Sequence, residues 1–296
     1  MPDPKPPKPK ILIQLDVDEQ PSVFDAVVAV DSGVDHLLRH GKVRPDLVRD
    51  LVHGALFTRG GEDLKRTAIF VGGSDFHAAE AVFSKVIETF FGPFRVSPLL
   101  DSNGANTTAA AVVLAVEQSL GGPSAWSNTP VAVLGAGPVG GQVVSLLHKL
   151  GATVRVGDPR PIDPARVGAT KGSGRVETFS IEPGADWHAR IEDVGAIIAA
   201  GPAGVEVLPS IARDRFPRLK VAADLNAVPP HGLGGTKPTD SDKDRDGVRA
   251  WGALGVGALK MKIHKAALRA LFDGEPTLFD IQEVFEVGRQ LQASRS

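Results

Sequence analysis

Residues 131–160 read VAVLGAGPVGGQVVSLLHKLGATVRVGDPR, and this stretch decides the fold. An apolar, β-branched run from Val131 to Leu134 predicts a strand that enters Gly135-x-Gly137-x-x-Gly140. Amphipathic spacing predicts a helix after the turn, and a second apolar run ends at Asp158. Strand, glycine turn, helix and strand, closed by an acid about 20 residues on, is the context in which this fingerprint binds a dinucleotide. Gly135 allows the sharp turn, Gly137 lets the backbone approach a pyrophosphate, and Gly140 lets the helix pack close to the strand. Pro138 and Val139 complete the turn, where the helix N-terminus faces the phosphate charge. A glycine turn that serves packing alone is the competing reading.

At 296 residues the chain has room for one large or two ordinary domains. A net charge of −2 gives no field that would gather nucleic acid or an anionic membrane. No apolar run approaches the ~20 residues of a membrane span. The N-terminal stretch lacks the apolar core of a signal peptide, so the cytoplasm is the expected compartment. The chain contains neither cysteine nor tyrosine. That excludes disulfides, thiolate catalysis, cysteine zinc sites and a Tyr–Lys acid/base pair. His36 and His40 stand four apart, but HLLRH lacks the glutamate of a zinc protease motif and reads as two surface histidines on a helix. No metal is expected.

The expected architecture is α/β throughout. Residues 1–10, MPDPKPPKPK, read as a disordered tail. Residues 11–125 alternate strand and helix: strands at 11–15, 67–71 and 96–100, a helix-and-loop region over 22–40, and helices near 45–53, 75–90 and up to Leu120. The turn-rich segment 121–130 is the expected linker. A Rossmann-type, doubly wound domain is expected over 126–269, with further strands at 176–180, 196–200 and 219–225. Ligands of such sheets sit beyond the carboxyl ends of the strands. That puts Ala200, Gly201, Pro202 and Asn226 in the expected cofactor cleft. Residues 232–247 read as a mobile surface loop, and 253–256 as a last strand or turn before a helix. The C-terminal helix, 280–291, is expected to pack back on the first domain, so that 270–296 joins it.

Six blocks carry a resemblance. They are QLDVDEQPSVFDAVVAVDSGVDH (14–36), TAIFVGGSD (67–75), FFGPFRVSPLLDSNGANTTAAA (90–111), GAGPVG (135–140), DLNAVPP (224–230) and GALGVGALKMKIHKA (252–266). In this order and spacing the chain resembles the bacterial NAD(P)-dependent methylene-tetrahydromethanopterin dehydrogenases, across nearly all of its length outside the tail and residues 160–190. The resemblance implies an N-terminal pterin-binding domain, a C-terminal Rossmann domain and an active site in the cleft between them. The reaction it implies is oxidation of the methylene C1 carrier to the methenyl form with reduction of NADP or NAD, in C1 (formaldehyde) oxidation; some relatives also accept the tetrahydrofolate carrier. It also implies that Lys260 is functional. A methylene-tetrahydrofolate or shikimate-type dehydrogenase, and an NAD(P)-sensing protein without turnover, are the alternatives. The expected partners are a small pterin carrier and, in a homo-oligomer, further copies of this chain.

The residues suit that chemistry. The reacting carbon lies between two nitrogens, and hydride loss leaves a cation spread over both. No O–H proton has to be removed, so the missing tyrosine, cysteine and metal are no obstacle. Lys260 then either hydrogen-bonds a polar edge of the pterin or is partly neutralised by desolvation, since a protonated amine beside a forming cation opposes the reaction. Lys262, two residues on, points elsewhere on the helix. The loop carrying Asp101, Asn103, Asn106 and Thr107 follows a strand and suits the pterin's amide and amine edge, or else forms an Asx turn with a helix cap. Asp16 and Asp18 offset cationic charge or cap the next helix. Phe24 stacks on the pterin or joins the core. Asp158 favours a free ribose and Arg160 a 2′-phosphate, with Arg166 and Lys171 as the other cations in reach. The resemblance tips the expected cofactor to NADP, with NAD as the alternative.

Overall fold

The computed structural model describes residues 7–162, 172–182, 187–212 and 214–294. It forms two compact units, residues 1–107 with 262–296, and residues 108–261. The division falls inside two helices and not at the Gly/Pro-rich segment 121–130 or at residue 269. That segment is no linker, because Pro123–Asn128 winds into a 3-10 turn whose Trp126 is buried. The indole Nε1 of Trp126 donates to Glu117 at 2.6 Å, which fastens the turn to the preceding helix.

The first unit holds a four-stranded parallel sheet in the order β2-β1-β3-β4. Its strands are β1 (Ile11–Asp16), β2 (His36–His40), β3 (Thr67–Gly72) and β4 (Ser97–Leu100). β3 is buried along its whole length, as the apolar run of a central parallel strand requires. The helices between are α1 (Val23–Asp31), α2 (Pro45–Phe57) and α3 (Phe76–Thr89). Ser22 and Asp75 cap α1 and α3 by accepting from Asp25 N–H and Ala78 N–H. HLLRH is therefore an edge strand and not part of a helix. Gly33 at φ +86 ends α1 early, and the five residues pair in register with Ile11–Leu15. The open edge of β4 is covered by its own chain: Phe279 N–H donates to Pro98 O at 2.8 Å, and Leu100 N–H to Phe279 O at 3.1 Å. Asp280 then caps α7 (Ile281–Ala293), which belongs to this unit. Of the tail, residues 1–6 lie outside the described residues, while the Pro9 carbonyl accepts from Arg59 Nη1 at 2.8 Å.

The second unit holds a seven-stranded sheet in the order β10-β11-β9-β8-β5-β6-β7, parallel except for the β10–β11 pair. Its strands are β5 (Val131–Leu134), β6 (Thr153–Asp158), β7 (Arg175–Ser180), β8 (Ala196–Ala199), β9 (Val221–Asp224), β10 (Lys243–Arg245) and β11 (Val248–Trp251). Read from β7, the parallel strands follow the Rossmann order, with the reversal between β5 and β8. α4 (Ala105–Leu120) carries eight successive fully buried residues, Ala109–Val116, and is thus apolar all round. α5 (Pro138–Lys149) links β5 to β6, and α6 (Ala253–Ala270) follows β11.

Two expectations fail here. Residues 232–247 are anchored, since Leu233, Thr236 and Asp240 are buried and Asp224 Oδ2 accepts Leu233 N–H at 3.0 Å. Asp246-Gly247, both at positive φ, form the two-residue turn of the β10–β11 hairpin. Residues 253–256 are the first turn of α6, not a strand. Glycine there permits close packing, because a Cβ on Gly255 would overlap the Asp240 carbonyl. Among the described residues no helix is long and apolar enough to cross a membrane.

Candidate active site

In the second unit, β5 delivers the glycine turn to the reversal point of the sheet. Gly135 has φ +108, and a Cβ there would lie 2.5 Å from the Ala200 carbonyl oxygen. A Cβ on Gly140 would overlap the Gly135 carbonyl oxygen, so helix and turn meet only because both are glycine. Gly137 differs from both. Its φ of −70 suits any residue and a Cβ would meet nothing within 4 Å. Space therefore lies beside the N-terminus of α5, which has no side-chain cap and starts at Pro138, a residue with no N–H to satisfy. Val139 is half-buried in the first turn. This is a cradle whose room a side chain would fill, and it fits a pyrophosphate.

Asp158, at the end of β6, is buried behind the turn. Its carboxylate accepts from Ala136 N–H at 2.7 Å, Arg160 N–H at 2.9 Å, and the Arg160 guanidinium at 3.0 and 3.3 Å. Burial pushes the Asp158 carboxyl up, but these hydrogen bonds outweigh it and hold the group below the usual carboxylate range. Arg166 and Lys171 lie outside the described residues. On the facing side, Asn226 joins two loops. Its Oδ1 accepts from Gly204 N–H at 3.2 Å and Val228 N–H at 2.9 Å, while its Nδ2 donates to Pro230 O at 2.9 Å. Ala200, Gly201 and Pro202 form the start of the first of these loops, with Ala200 N–H donating to Leu134 O at 2.8 Å.

In the first unit, the carboxyl ends of β1, β3 and β4 carry the polar candidates. Asp16 is fully buried, and its carboxylate accepts from Asp18 N–H and Ser22 N–H, each at 3.0 Å. Asp18 accepts from Ser74 N–H at 2.9 Å and Ser74 Oγ at 2.8 Å. Ser102 Oγ donates to Gly73 O at 2.7 Å. The loops after β1, β3 and β4 are thus tied into one rim. Asp101, also buried, accepts from Thr107 N–H at 3.0 Å and Thr107 Oγ1 at 2.7 Å, which ties the loop to the first turns of α4. Asn103 is exposed at φ +49. Asn106 is buried, with Nδ2 donating to Leu100 O at 2.8 Å and Oδ1 meeting no donor among the described residues. Sequence reasoning passed over Ser74, although the GGSD that follows β3 was its signal. Phe24 is half-exposed on α1 and not core, with its ring 6.2 Å from His264. Lys260 is half-buried on α6, in the other unit from these loops, and Lys262 is exposed.

A family described as "Methylene-tetrahydromethanopterin dehydrogenase, N-terminal" matches residues 23–103. "Bifunctional protein MdtA" of Methylorubrum extorquens is 44% identical over 286 residues, 95% of this chain and 99% of that one. "NAD(P)-dependent methylenetetrahydromethanopterin dehydrogenase" of the same organism is 29% identical, over 91% of this chain and 94% of that one. Among solved structures, shikimate 5-dehydrogenase from Listeria monocytogenes is 14% identical, covers 94% of this chain and 96% of its own, and has a TM-score of 0.53. Ornithine carbamoyltransferase from Pyrococcus furiosus, 13% identical over 89% and 84%, has the same TM-score. A dehydrogenase and a transferase share the architecture, so these two show the fold and not the chemistry.

Proposed function

The chain belongs to the methylene-tetrahydromethanopterin dehydrogenase family, and from that membership we propose that it oxidises methylene-tetrahydromethanopterin to the methenyl form, with NADP preferred over NAD. It is an NAD(P)-dependent oxidoreductase. What carries the reading is the open face at Gly137, in a chain aligned with its relatives over nearly its whole length. A bound nicotinamide supplies the hydride acceptor at its C4.

The chain's own residues bind and orient. Gly135, Gly137 and Gly140 shape the turn that admits a pyrophosphate, and the first N–H groups of α5 face its charge. Asn226 holds the loops after β8 and β9 in one arrangement. The rim built from Asp18, Ser74, Asn103, Asn106 and Thr107 is the proposed pterin contact, with Asp16 and Asp101 sealed beneath it as loop staples. Lys260 would hydrogen-bond the pterin and fix its angle. Because no proton transfer accompanies hydride loss, positioning is the main contribution, and alone can be worth ~7–11 kcal/mol. Carboxylates near the forming cation help electrostatically. The cytoplasm is the proposed compartment and a homo-oligomer the proposed assembly.

The test is a spectrophotometric assay of NADP and NAD reduction with the tetrahydromethanopterin and tetrahydrofolate carriers. Reduction with the first carrier, faster with NADP, is expected. Binding of nucleotide without turnover on either carrier would refute the proposal.

A further inference from the structure

We propose that Asp158 and Arg160 form a two-position cofactor selector: Arg160 rests on Asp158 when the adenosine ribose carries a 2′-hydroxyl, and turns to the phosphate when it carries a 2′-phosphate. The selector rests on the dehydrogenase reading and changes the part usually given to an acid at the end of this strand, which is to accept from the ribose hydroxyls. An ionised carboxylate offers about four acceptor positions. In Asp158, Oδ1 takes Arg160 N–H and Nε, while Oδ2 takes Ala136 N–H and Arg160 Nη2. The side chain is only 4% exposed. Neither a vacant lone pair nor an open face is left for two ribose hydroxyls.

The constant task of Asp158 lies with the backbone. Ala136 stands inside the glycine turn, so the carboxylate holds in place the turn that receives the pyrophosphate. Arg160 is built for the opposite behaviour, with its side chain 73% exposed. When its guanidinium leaves, the N–H groups of Ala136 and Arg160 remain on Asp158, so the buried anion is never stranded. A planar fork of donors also matches phosphate oxygens better than a point charge does. Turning to phosphate forfeits the Asp158 contact, so the net gain is partial. The selector therefore accepts both cofactors with a modest preference, which neither residue alone would produce.

Titration calorimetry on the full chain tests this, with NADP, NAD and adenosine 2′,5′-bisphosphate as probes. Arg160→Gln should weaken NADP and the bisphosphate by about 10-fold or more, the scale of a charged hydrogen bond, and change NAD by less than about 2-fold. Asp158→Asn keeps an acceptor for Ala136 N–H but frees Arg160, so the ratio of NADP to NAD affinity should rise several-fold. In the wild type NADP affinity should fall more steeply with salt than NAD affinity, and Arg160→Gln should erase the difference. Should Asp158→Asn misfold, the exposed Arg160 variant and the salt series decide alone. An unchanged or lower ratio of NADP to NAD affinity in folded Asp158→Asn, or unchanged NADP binding in Arg160→Gln, overturns the selector while leaving the dehydrogenase reading intact. A wild type that binds neither nucleotide overturns both.

Discussion

Gly137 is the residue whose side chain the structure leaves room for and the proposed ligand does not. Its backbone is unstrained, and a Cβ there meets nothing within 4 Å among the described residues. Gly137→Val should therefore keep the melting temperature within a few degrees yet abolish measurable NADP binding, as titration calorimetry would show. Retained NADP affinity would remove the nucleotide site from this turn. Lys260 is marked instead by its motif and its half-buried place on α6. Lys260→Met preserves the apolar stem and deletes the orienting donor, so turnover should drop on the order of 100-fold with NADP affinity little changed. Near wild-type turnover would make it an ordinary helix lysine. Such roles were only partly legible beforehand. Glycines announce their purpose because few other reasons put three at that spacing. Asp16 and Asp101 looked like ligands, because a sequence cannot show that their lone pairs are spent on Ser22 and Thr107.

Among the elements, the parallel strands read easily because their apolar runs have one physical cause, burial on both faces. β2 did not, since HLLRH lies at a sheet edge, where polar side chains meet solvent and no alternation is enforced. The β10–β11 hairpin was hidden for another reason. Its charged strands resemble a solvated loop, and the Asp246-Gly247 turn signal drowns among neighbouring polar residues. The segment after β9 shows how one side chain governs an element's end. Asn226 satisfies two backbone N–H groups and one carbonyl from the loops after β8 and β9. Asn226→Ala leaves these groups to find other partners and should destabilise the protein by roughly 1–3 kcal/mol. It should also weaken NADP, if those loops border its cleft as proposed. Urea unfolding followed by tryptophan fluorescence, beside calorimetric titration, measures both effects; an unchanged midpoint would show the loops to be held by something else.

For the whole molecule, the shifted acids of the two units respond to pH with opposite sign. In the second, hydrogen bonds from Arg155 and Arg249 hold Asp193 and Asp242 below the usual carboxylate range. Asp158 and Asp240 are raised by burial but lowered further by Arg160 and Arg245. Depressed acids stabilise the fold above their unfolded values, so this contribution is lost as pH falls through the native ones. In the first unit, Glu283 is pushed up to about 7, by burial first and then by its hydrogen bond to Asp280 and the charge of that residue. Its sign is reversed. A raised acid stabilises in full below its ordinary value and loses that contribution as pH climbs through 7. After discounting for the part of the group that faces solvent, this is worth about 1 kcal/mol. Trp126, Trp187 and Trp251, the chain's three tryptophans, all belong to the second unit. Tryptophan fluorescence therefore reports that unit alone, while far-ultraviolet circular dichroism reports both. Acidification below about pH 4 should lower the fluorescence-detected melting temperature as the aspartates protonate. Between about pH 5 and 8 the dichroism-detected transition should fall in the wild type and flatten in Glu283→Gln, which stays neutral throughout. An equal alkaline loss in both proteins would mean that Glu283 contributes nothing to the pH response of α7.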